Sequence, residues 1–433
     1  MRVRWLGFQG YRSLRNVALD ELDEPPLLVL LGVNGAGKSS VLDATAVLLS
    51  AFPALLRGDN RGRMKLTEAD VGAGEPFASC WALFRVNFAD KHWAMRLVTR
   101  GRRQPEESEG PPLPDQIEGK RTDLGQLSDL CAELRRQLQA DPGLSLPVLA
   151  YYRTNRAVLD IPLRIRKRHT FTQLDAYDGA LDRAPSNFRL FFEWFRNRED
   201  FENELRRDQP EHEDRELGAV RRAIAALLGD DYADLRVRRN PLRMTIRKRG
   251  VELSVAQLSD GEKCLLALTG DLARRLAIAN PALADPCQGA GIVLIDEIEL
   301  HLHPRWQRRV IHDLRRTFPN VQFLVSTQSP QVVGEVPPQS VLILRPTDQG
   351  VEVVEVDESL GMDSNSILEL LMESTERSEA YKQRVGALFA AIDARQFAEA
   401  ERALAELRDE IGTQPILVEA ETTLRLVRRL AAR

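Results

Sequence analysis

The sequence predicts an α/β fold, in which a sheet carries helices on both faces, and two apolar runs support this prediction. The first, 27–31 (LLVLL), leads into a glycine-rich turn and then a segment with the pattern of a helix. The second, 291–295 (GIVLI), ends in two carboxylates. Short apolar runs that are bounded by turns and alternate with helical patterns are typical of buried strands in α/β proteins.

The remaining elements follow from shorter patterns. Alternating or β-branched segments predict further strands over 2–8, 17–22, 78–88, 92–99, 146–152, 235–238, 242–247, 251–253, 321–326, 341–344 and 351–356. Helical periodicity predicts helices over 39–49, 124–139, 188–205 and 258–277, and from 364 to the end, with breaks near 374–379, 395 and 412–415.

Changes in composition divide the chain into four predicted segments. Residues 100–121 are rich in proline, glycine and charge, which interrupts the strand pattern. We predict half of a head over 1–100, a mostly helical insertion over 101–233 and the other half over 234–358. The last segment, 359–433, is predicted to be all-helical. Its apolar stripe suits either a docking or oligomerisation element or a cap on the core, and it comprises Ile367, Leu370 and Leu371.

The composition is that of a soluble globular chain, since 43% of its 433 residues are hydrophobic and 29% are charged. The net charge of −4 excludes binding of polyanions through overall charge, so any basic surface must be local. No apolar run suggests a signal peptide or a membrane span, and we expect a cytoplasmic protein. The cysteines form no C-x-x-C pair and so predict neither a zinc motif nor a disulfide framework: Cys80, Cys131, Cys264 and Cys287.

Residues 32–39 (GVNGAGKS) match the phosphate-binding pattern G-x-x-x-x-G-K-[ST] at every position. Glycines allow the tight turn, and the following helix directs its positive end at the same anion. Lys38 can reach the β- and γ-phosphates, and the Ser39 hydroxyl can bind Mg²⁺. The motif therefore predicts a site for ATP and Mg²⁺ formed by Gly32, Asn34, Gly35, Ala36, Gly37, Lys38, Ser39 and Ser40.

Asp296 and Glu297 follow the second buried run directly. The carboxyl ends of strands in open α/β sheets are where ligands bind. Asp296 is predicted to hold Mg²⁺, directly or through water, and Glu297 to take a proton from the attacking water. Two acids in a solvated turn are the alternative.

The segment 257–263 (QLSDGEK) opens a long helix and resembles the L-S-x-G-[QE] signature of ABC-type ATPases, which include the SMC proteins and RecF. The resemblance implies an ABC-type P-loop head with a mixed central sheet. It also implies that Ser259 and Gly261 contact the γ-phosphate held by a second copy, so that ATP joins two chains. Ser259 with Glu262 also forms a helix-capping pattern, and both functions are compatible.

The same resemblance assigns two further residues to the nucleotide. Gln328, in STQSP after the strand 321–326, stands where such heads usually place a switch histidine. A glutamine can orient water but cannot carry a proton, which favours slow or gated hydrolysis. Arg12, in GYRSL, stands where SMC-like heads approach the nucleotide, and an ordinary surface arginine is the alternative. The glutamine of a Q-loop is not identified.

The block DEIELHLHP, 296–304, resembles the RecF- and OLD-like ATPases and not transporter subunits. We interpret His301 and His303 as structural or interprotomer residues and not as zinc ligands, because no third ligand is evident. Further blocks, FEWFRNREDFENE, STQSPQVV and GMDSNSILELLMESTERSEAY, resemble bacterial AAA family ATPases of antiphage defence, represented by the PtuA ATPase of Septu and its relatives in retron operons. This family implies a homodimer or higher oligomer and a separate HNH nuclease subunit.

The chain itself offers no nuclease pattern among its histidines. Two basic stretches, Arg153–Arg168 and Arg236–Arg249, could contact nucleic acid without reading its sequence. In the second, we expect Arg243, Arg247 and Arg249 on one strand face. A RecF-like DNA-repair ATPase and an ATP-gated scaffold with little turnover remain the alternatives to a nuclease-regulating ATPase.

Overall fold

The structure is a computed structural model that describes residues 1–59, 62–86, 91–98, 114, 122–154, 171–182, 188–372 and 379–431. The chain divides into two compact units, 1–367 and 368–433.

Among the described residues, six strands form the central sheet of the first unit: β3 (Leu27–Leu31), β6 (Val148–Tyr152), β10 (Gly291–Ile295), β11 (Val321–Thr327), β12 (Val341–Thr347) and β13 (Gly350–Glu355). Their order is β13-β12-β3-β11-β10-β6, and β13 alone runs antiparallel to its neighbour. Strands β3, β6, β10 and β11 are buried at every residue, as strands covered on both faces must be. The two predicted buried runs therefore flank β11 in one mixed sheet.

A second sheet is antiparallel and consists of β1 (Arg2–Tyr11), β2 (Leu14–Leu19), β4 (Ser79–Val86) and β5 (Lys91–Val98), in the order β2-β1-β4-β5. Gln322 of β11 joins it to the central sheet. Its amide accepts from the Val3 N–H at 2.7 Å and donates to the carbonyls of Val3 and Leu22. A third sheet is the antiparallel meander of β7 (Tyr232–Arg239), β8 (Leu242–Lys248) and β9 (Val251–Ser254).

The helices of the first unit are α1 (Lys38–Leu49), α2 (Ala51–Arg57), α3 (Gly125–Ala140), α4 (Phe188–Leu205), α5 (Arg215–Leu228), α6 (Asp260–Ala279), α7 (Pro304–Gln307), α8 (Val310–Thr317) and α9 (Pro330–Val333). Helix α10 (Ser364–Leu370) includes the boundary between the units, which follows Ile367. Helix α6 is buried along almost its whole length. The window Lys38–Arg57, which comprises α1 and α2, is apolar and long enough to cross a membrane, but 83% of it is buried inside the fold.

The segment 101–233 contributes to the head. Its strand β6 forms the edge of the central sheet beside β10, and its helices α4 and α5 pack on α6. The predicted strands and helices of the described residues are confirmed to within a few residues, and 27–31, 188–205 and 291–295 match their bounds.

The second unit contains α11 (Glu379–Asp393), α12 (Phe397–Ile411) and α13 (Pro415–Ala431). One apolar cluster holds them together, with Leu388, Ile392, Leu407 and Leu417 among its most buried members. The predicted breaks near 395 and 412–415 are confirmed, whereas most of 374–379 lies outside the described residues.

Candidate nucleotide-binding site

The turn between β3 and α1 has the backbone that its glycines predict. Gly32, Gly35 and Gly37 all have positive φ, at 154°, 81° and 97°. A β-carbon on Gly32 would lie 2.5 Å from the Leu344 carbonyl oxygen, so the neighbouring strand β12 excludes any side chain there. The turn can therefore keep this path only with glycine at that position.

Lys38 folds back over this turn. Its Nζ donates to the carbonyl oxygens of Gly32 at 2.6 Å and Val33 at 3.0 Å. Burial lowers the pKa of Lys38, and the nearby carboxylates of Glu299, Asp296 and Glu297 act in the opposite direction. Helix α1 begins at Lys38 without a side-chain cap or an acidic residue in its first turn. Its first amides are thus presented to an anion, as the motif predicts.

The two predicted metal ligands meet at the carboxyl edge of the sheet. The Ser39 hydroxyl donates to Asp296 Oδ1 at 3.0 Å, and the Ser326 hydroxyl of β11 donates to the same oxygen at 2.5 Å. A hydroxyl and a carboxylate are hard oxygen ligands of the kind that Mg²⁺ prefers, so these residues fit the predicted ion.

Glu297 and Gln328, the predicted catalytic residues, are neighbours in space. Gln328 Nε2 lies 3.4 Å from Glu297 Oε1. Glu297 has a positive φ of 46°, and its N–H donates to the Ser326 hydroxyl at 2.8 Å. The Ser326 hydroxyl therefore contacts both acidic residues, Asp296 through its carboxylate and Glu297 through its backbone N–H.

Glu299 is a member of the site that sequence reasoning missed. Its carboxylate accepts from the Thr327 hydroxyl at 2.8 Å and from the Gln328 N–H at 2.7 Å. Glu299 thereby fixes the end of β11, from which Gln328 projects. Its position two residues after Glu297 was a signal that could have found it.

Arg12 lies in the left-handed turn between β1 and β2, with a φ of 51°. Its guanidinium donates to Asp43 at 2.7 Å and to Asp70 at 3.0 Å. Asp43 lies on α1, one turn after Ser39. The turn also packs on the phosphate-binding loop, because a β-carbon on Gly37 would lie 3.0 Å from Ser13 Oγ. Arg12 is thus linked to α1 through the Asp43 carboxylate.

The signature segment forms the exposed tip of α6. Ser259 is exposed and accepts from the Glu262 N–H, while its hydroxyl donates to Glu262 Oε2 at 2.6 Å, which confirms the capping pattern. A β-carbon on Gly261 would lie 2.5 Å from the His301 carbonyl oxygen. In the described part of the chain, no hydrogen bond joins Ser259 to residues 32–40.

Glu262 couples this tip to the third sheet. Burial on its own would raise the pKa of Glu262, but hydrogen bonds from Lys248, Ser259 and Tyr232 lower it to about 2. Lys248 Nζ lies 2.5 Å from Glu262 Oε1, to which the Tyr232 hydroxyl also donates. Tyr232 of β7 and Lys248 of β8 therefore both hold the tip of α6 in place through Glu262.

The two histidines of the DEIELHLHP block are exposed. His303 Nδ1 accepts from the Arg305 N–H at 3.2 Å and caps α7. His301 has a positive φ of 63° beside Gly261. Within the described ranges, no group of three His, Cys, Asp or Glu residues is placed to hold a metal ion.

The basic stretch 236–249 lies on the meander, and most of its arginines are ion-paired. Arg247 lies 2.8 Å from Asp234, and Arg238 is paired with Glu252. Arg243 and Arg247 are exposed on β8, but Arg249 follows the strand in a left-handed turn and pairs with Asp231. The expectation that Arg249 shares their strand face is therefore wrong. Most of the other stretch, 153–168, lies outside the described residues.

A phosphate-binding loop, a carboxylate pair at the end of another strand of the same sheet and an LSDGE helix tip on a mixed sheet are the features of ABC-type P-loop heads, and the chain has this fold. A family model described as "AAA domain, putative AbiEii toxin, Type IV TA system" matches residues 156–334.

The chain is similar in sequence to two proteins named as probable ATPases of bacterial retrons. It is 27% identical over 441 residues to "Retron Vc95 probable ATPase" of Vibrio cholerae, with 90% of this chain and 82% of the relative covered. It is also 27% identical over 436 residues to "Retron Ec83 probable ATPase" of Escherichia coli, with 87% and 77% covered. "Septu protein PtuA" of Bacillus mycoides matches 73 residues at 40% identity, or 17% of this chain and 10% of that protein.

Among solved structures, an SMC head bound to the C-terminal winged-helix domain of ScpA aligns with a TM-score of 0.49 and 17% identity, over 82% of this chain and 98% of that one.

The resemblance to retron and Septu ATPases that the sequence predicts is confirmed by the relatives.

Proposed function

We propose that this chain binds ATP with Mg²⁺ and hydrolyses it, and that two copies pair head to head to regulate a separate nuclease in antiphage defence. The observation that supports the nucleotide site most strongly is the contact of Ser39 with Asp296 at 3.0 Å, beside the loop that carries Lys38. It brings a phosphate-binding segment and a metal-binding carboxylate together from distant parts of the chain.

The proposed site divides phosphate binding and proton transfer between its residues. The backbone amides of 32–40 and the Lys38 ammonium bind the phosphates. Ser39 and Asp296 would hold Mg²⁺, which would supply positive charge to the phosphates. The Glu297 carboxylate takes the proton of the attacking water, and the Gln328 amide orients that water. Because an amide cannot carry a proton, Glu297 acts as the base without help, and we expect slow or gated turnover.

Ser259 and Gly261 are proposed to bind the nucleotide of a second copy. Ser259 is exposed at the tip of α6, where a helix N-terminus favours an anion. The LSDGE sequence at this tip is what makes the tip a candidate for pairing, since a helix N-terminus alone is common. An isolated chain would then be a poor ATPase.

The proposed partners are argued from the family resemblance and from surface charge. A separate nuclease subunit, of HNH type in the family that the sequence resembles, is the proposed target of ATP-dependent assembly, and we place this assembly in the cytoplasm. Sequence-independent contact with nucleic acid through 236–249 is proposed for the exposed face of β7 and β8.

The test compares the parent chain, Lys38→Ala and Glu297→Gln by nucleotide affinity, turnover and mass in solution. We expect Lys38→Ala to lose ATP binding, and Glu297→Gln to bind ATP, fail to turn it over and accumulate as a dimer. Hydrolysis by Glu297→Gln at the parent rate would refute the assigned base. Replacement of Ser259 by arginine should prevent the dimer without loss of ATP binding.

An ATP-gated scaffold is the second candidate, and Gln328 in place of a histidine favours it. Nucleotide-dependent assembly of the parent chain with negligible turnover would support the scaffold. ATP-dependent binding of gapped DNA without any nuclease subunit would instead support a RecF-like repair ATPase.

A further inference from the structure

Strand β6 ends beside the proposed metal-binding carboxylate. Tyr152 pairs with Ile295 of β10, and its carbonyl accepts from the Asp296 N–H at 2.9 Å. The next residue, Arg153, therefore leaves the sheet next to Asp296, at the carboxyl edge where open α/β sheets bind ligands.

The Arg153 side chain is fixed towards the phosphate-binding helix. Its Nη1 lies 2.7 Å from Asp43 Oδ1, and its Cζ lies 4.2 Å from the centre of the Tyr151 ring. Only 19% of the side chain is exposed. Asp43 follows Ser39 by one turn of α1, so both residues lie on the same face of that helix. The guanidinium is thus held between the end of β6 and the helix that carries Ser39.

The Asp43 carboxylate is contacted by side chains from two segments, the end of β6 and the turn between β1 and β2. Besides Arg153, it accepts from the Tyr151 hydroxyl at 3.0 Å and from Arg12 Nη1 at 2.7 Å. Its side chain is 10% exposed. Two guanidinium groups and a phenol around one nearly buried carboxylate form a cluster whose geometry is determined by the positions of α1, β6 and the β1–β2 turn together.

We propose that Arg153 is a phosphate ligand in cis, which contacts the terminal phosphate of ATP, and that Asp43 is a positioning residue that holds Arg153 and Arg12 against α1. The inference rests on the nucleotide binding proposed above. A guanidinium matches phosphate oxygens with two parallel donors and is more weakly hydrated than an ammonium, so it suits a partly buried anion site.

The second reason to assign Arg153 to the terminal phosphate is the charge of the surrounding residues. Three carboxylates, those of Asp296, Glu297 and Glu299, lie within electrostatic reach of Lys38. A triphosphate brings further negative charge to this carboxylate-rich edge. A second cation beside Asp296 stabilises the terminal phosphate there, and Arg153 is the residue that the strand register places next to Asp296.

The experiment measures ATP and ADP affinity separately, because a ligand of the terminal phosphate must affect their ratio. Arg153→Met retains packing on Tyr151 without charge, and Arg153→Lys restores charge. We expect Arg153→Met to weaken ATP binding about tenfold while ADP binding stays within about twofold, with partial rescue by Arg153→Lys. Asp43→Asn should shift the ratio in the same direction but less.

The matched control is Arg57→Ala. Arg57 is similarly buried, with 16% of its side chain exposed, and is paired with Asp178. Its loss should lower thermal stability without changing the ATP-to-ADP ratio. An unchanged ratio in folded Arg153→Met and Arg153→Lys would overturn the inference, and so would equal losses for both nucleotides. If Lys38→Ala binds ATP as the parent does, the proposed nucleotide site itself is refuted. If Lys38→Ala loses ATP binding but the Arg153 variants keep the parent's ratio of ATP to ADP affinity, only the role of Arg153 is refuted.

Discussion

The Ser39 hydroxyl and the Asp296 carboxylate lie 3.0 Å apart, although 257 residues separate them in sequence. They meet because β3 and β10 both pair in parallel with β11, so the residues that follow these strands reach the same edge of the sheet. The Ser326 hydroxyl, near the end of β11, donates to the same Asp296 oxygen as the Ser39 hydroxyl. The proposed metal position is therefore a product of strand order.

Replacement of Asp296 by asparagine tests that position. It retains the shape of the side chain but removes its charge, so we expect the gain in ATP affinity that Mg²⁺ gives the parent to disappear. Titrations of ATP with Mg²⁺ and with a chelator measure this gain. Asp313→Asn is the control, since Asp313 is also buried but is paired with Arg309 on α8. An undiminished response to Mg²⁺ in Asp296→Asn would show that the ion is held elsewhere.

The runs that form the centre of the fold were predictable because they are apolar throughout. The runs 27–31 and 291–295 are buried at every residue, as strands covered on both faces of a sheet must be. Helix α2 was not predicted, since Ser50 interrupts the pattern and Pro53 suggests a break. Pro53 is tolerated because it lies in the first turn of α2, where its lack of an N–H costs nothing.

The motif residues of the site were predictable, but the residues that hold them were not. Asp43 and Tyr151 are bonded across 108 positions, and no local pattern marks either of them. Strand β6 was predicted, but its place beside β10 depends on the strand order of the whole sheet. The sequence suggested nucleic-acid contact for the basic stretch that starts at Arg153, but it gave no reason to place Arg153 at the nucleotide site, which the pairing of Tyr152 with Ile295 now does.

Glu262 predicts a specific pH dependence. Its pKa is about 2 in the folded chain, below the ordinary value of 4.5, because Lys248, Ser259 and Tyr232 donate to it despite its burial. The charged form is therefore favoured by folding. Its contribution to the free energy of unfolding should be fully present above pH 4.5 and be lost as the pH falls from there towards 2.

The variant that tests this is Glu262→Gln. At neutral pH it should lower the free energy of unfolding by about 2 kcal/mol, as expected for lost hydrogen bonds to a charged group. Denaturant unfolding at a series of pH values measures the difference between parent and variant, which should shrink in acid. The exposed Glu358→Gln is the control and should change stability by less than about 0.5 kcal/mol. A difference that stays constant from pH 7 to acid would contradict the assigned bonds.

Gly261 predicts a steric effect at the tip of α6. The added β-carbon of Gly261→Ala would lie 2.5 Å from the His301 carbonyl oxygen, and a backbone atom cannot move aside as the end of a side chain can. We expect nucleotide-dependent dimerisation to fall while ATP binding by the single chain is retained. Gly386→Ala is the matched control, because Gly386 lies within α11 with nothing near its β-position. Normal dimerisation by Gly261→Ala would show that the tip tolerates displacement.

Arg243 and Arg247 test contact with nucleic acid. Both are exposed on β8, and Arg247 is paired with Asp234 of the neighbouring strand β7. Replacement of both arginines by alanine should weaken binding of any DNA sequence equally and reduce the dependence of the affinity on salt, since about two phosphate contacts would be lost. Affinity measured at several salt concentrations, with and without ATP, gives that slope. Arg384→Ala with Arg425→Ala, two exposed and paired arginines of the second unit, is the matched control. If the slope of the β8 variant equals that of the parent, this strand does not contact the phosphate backbone.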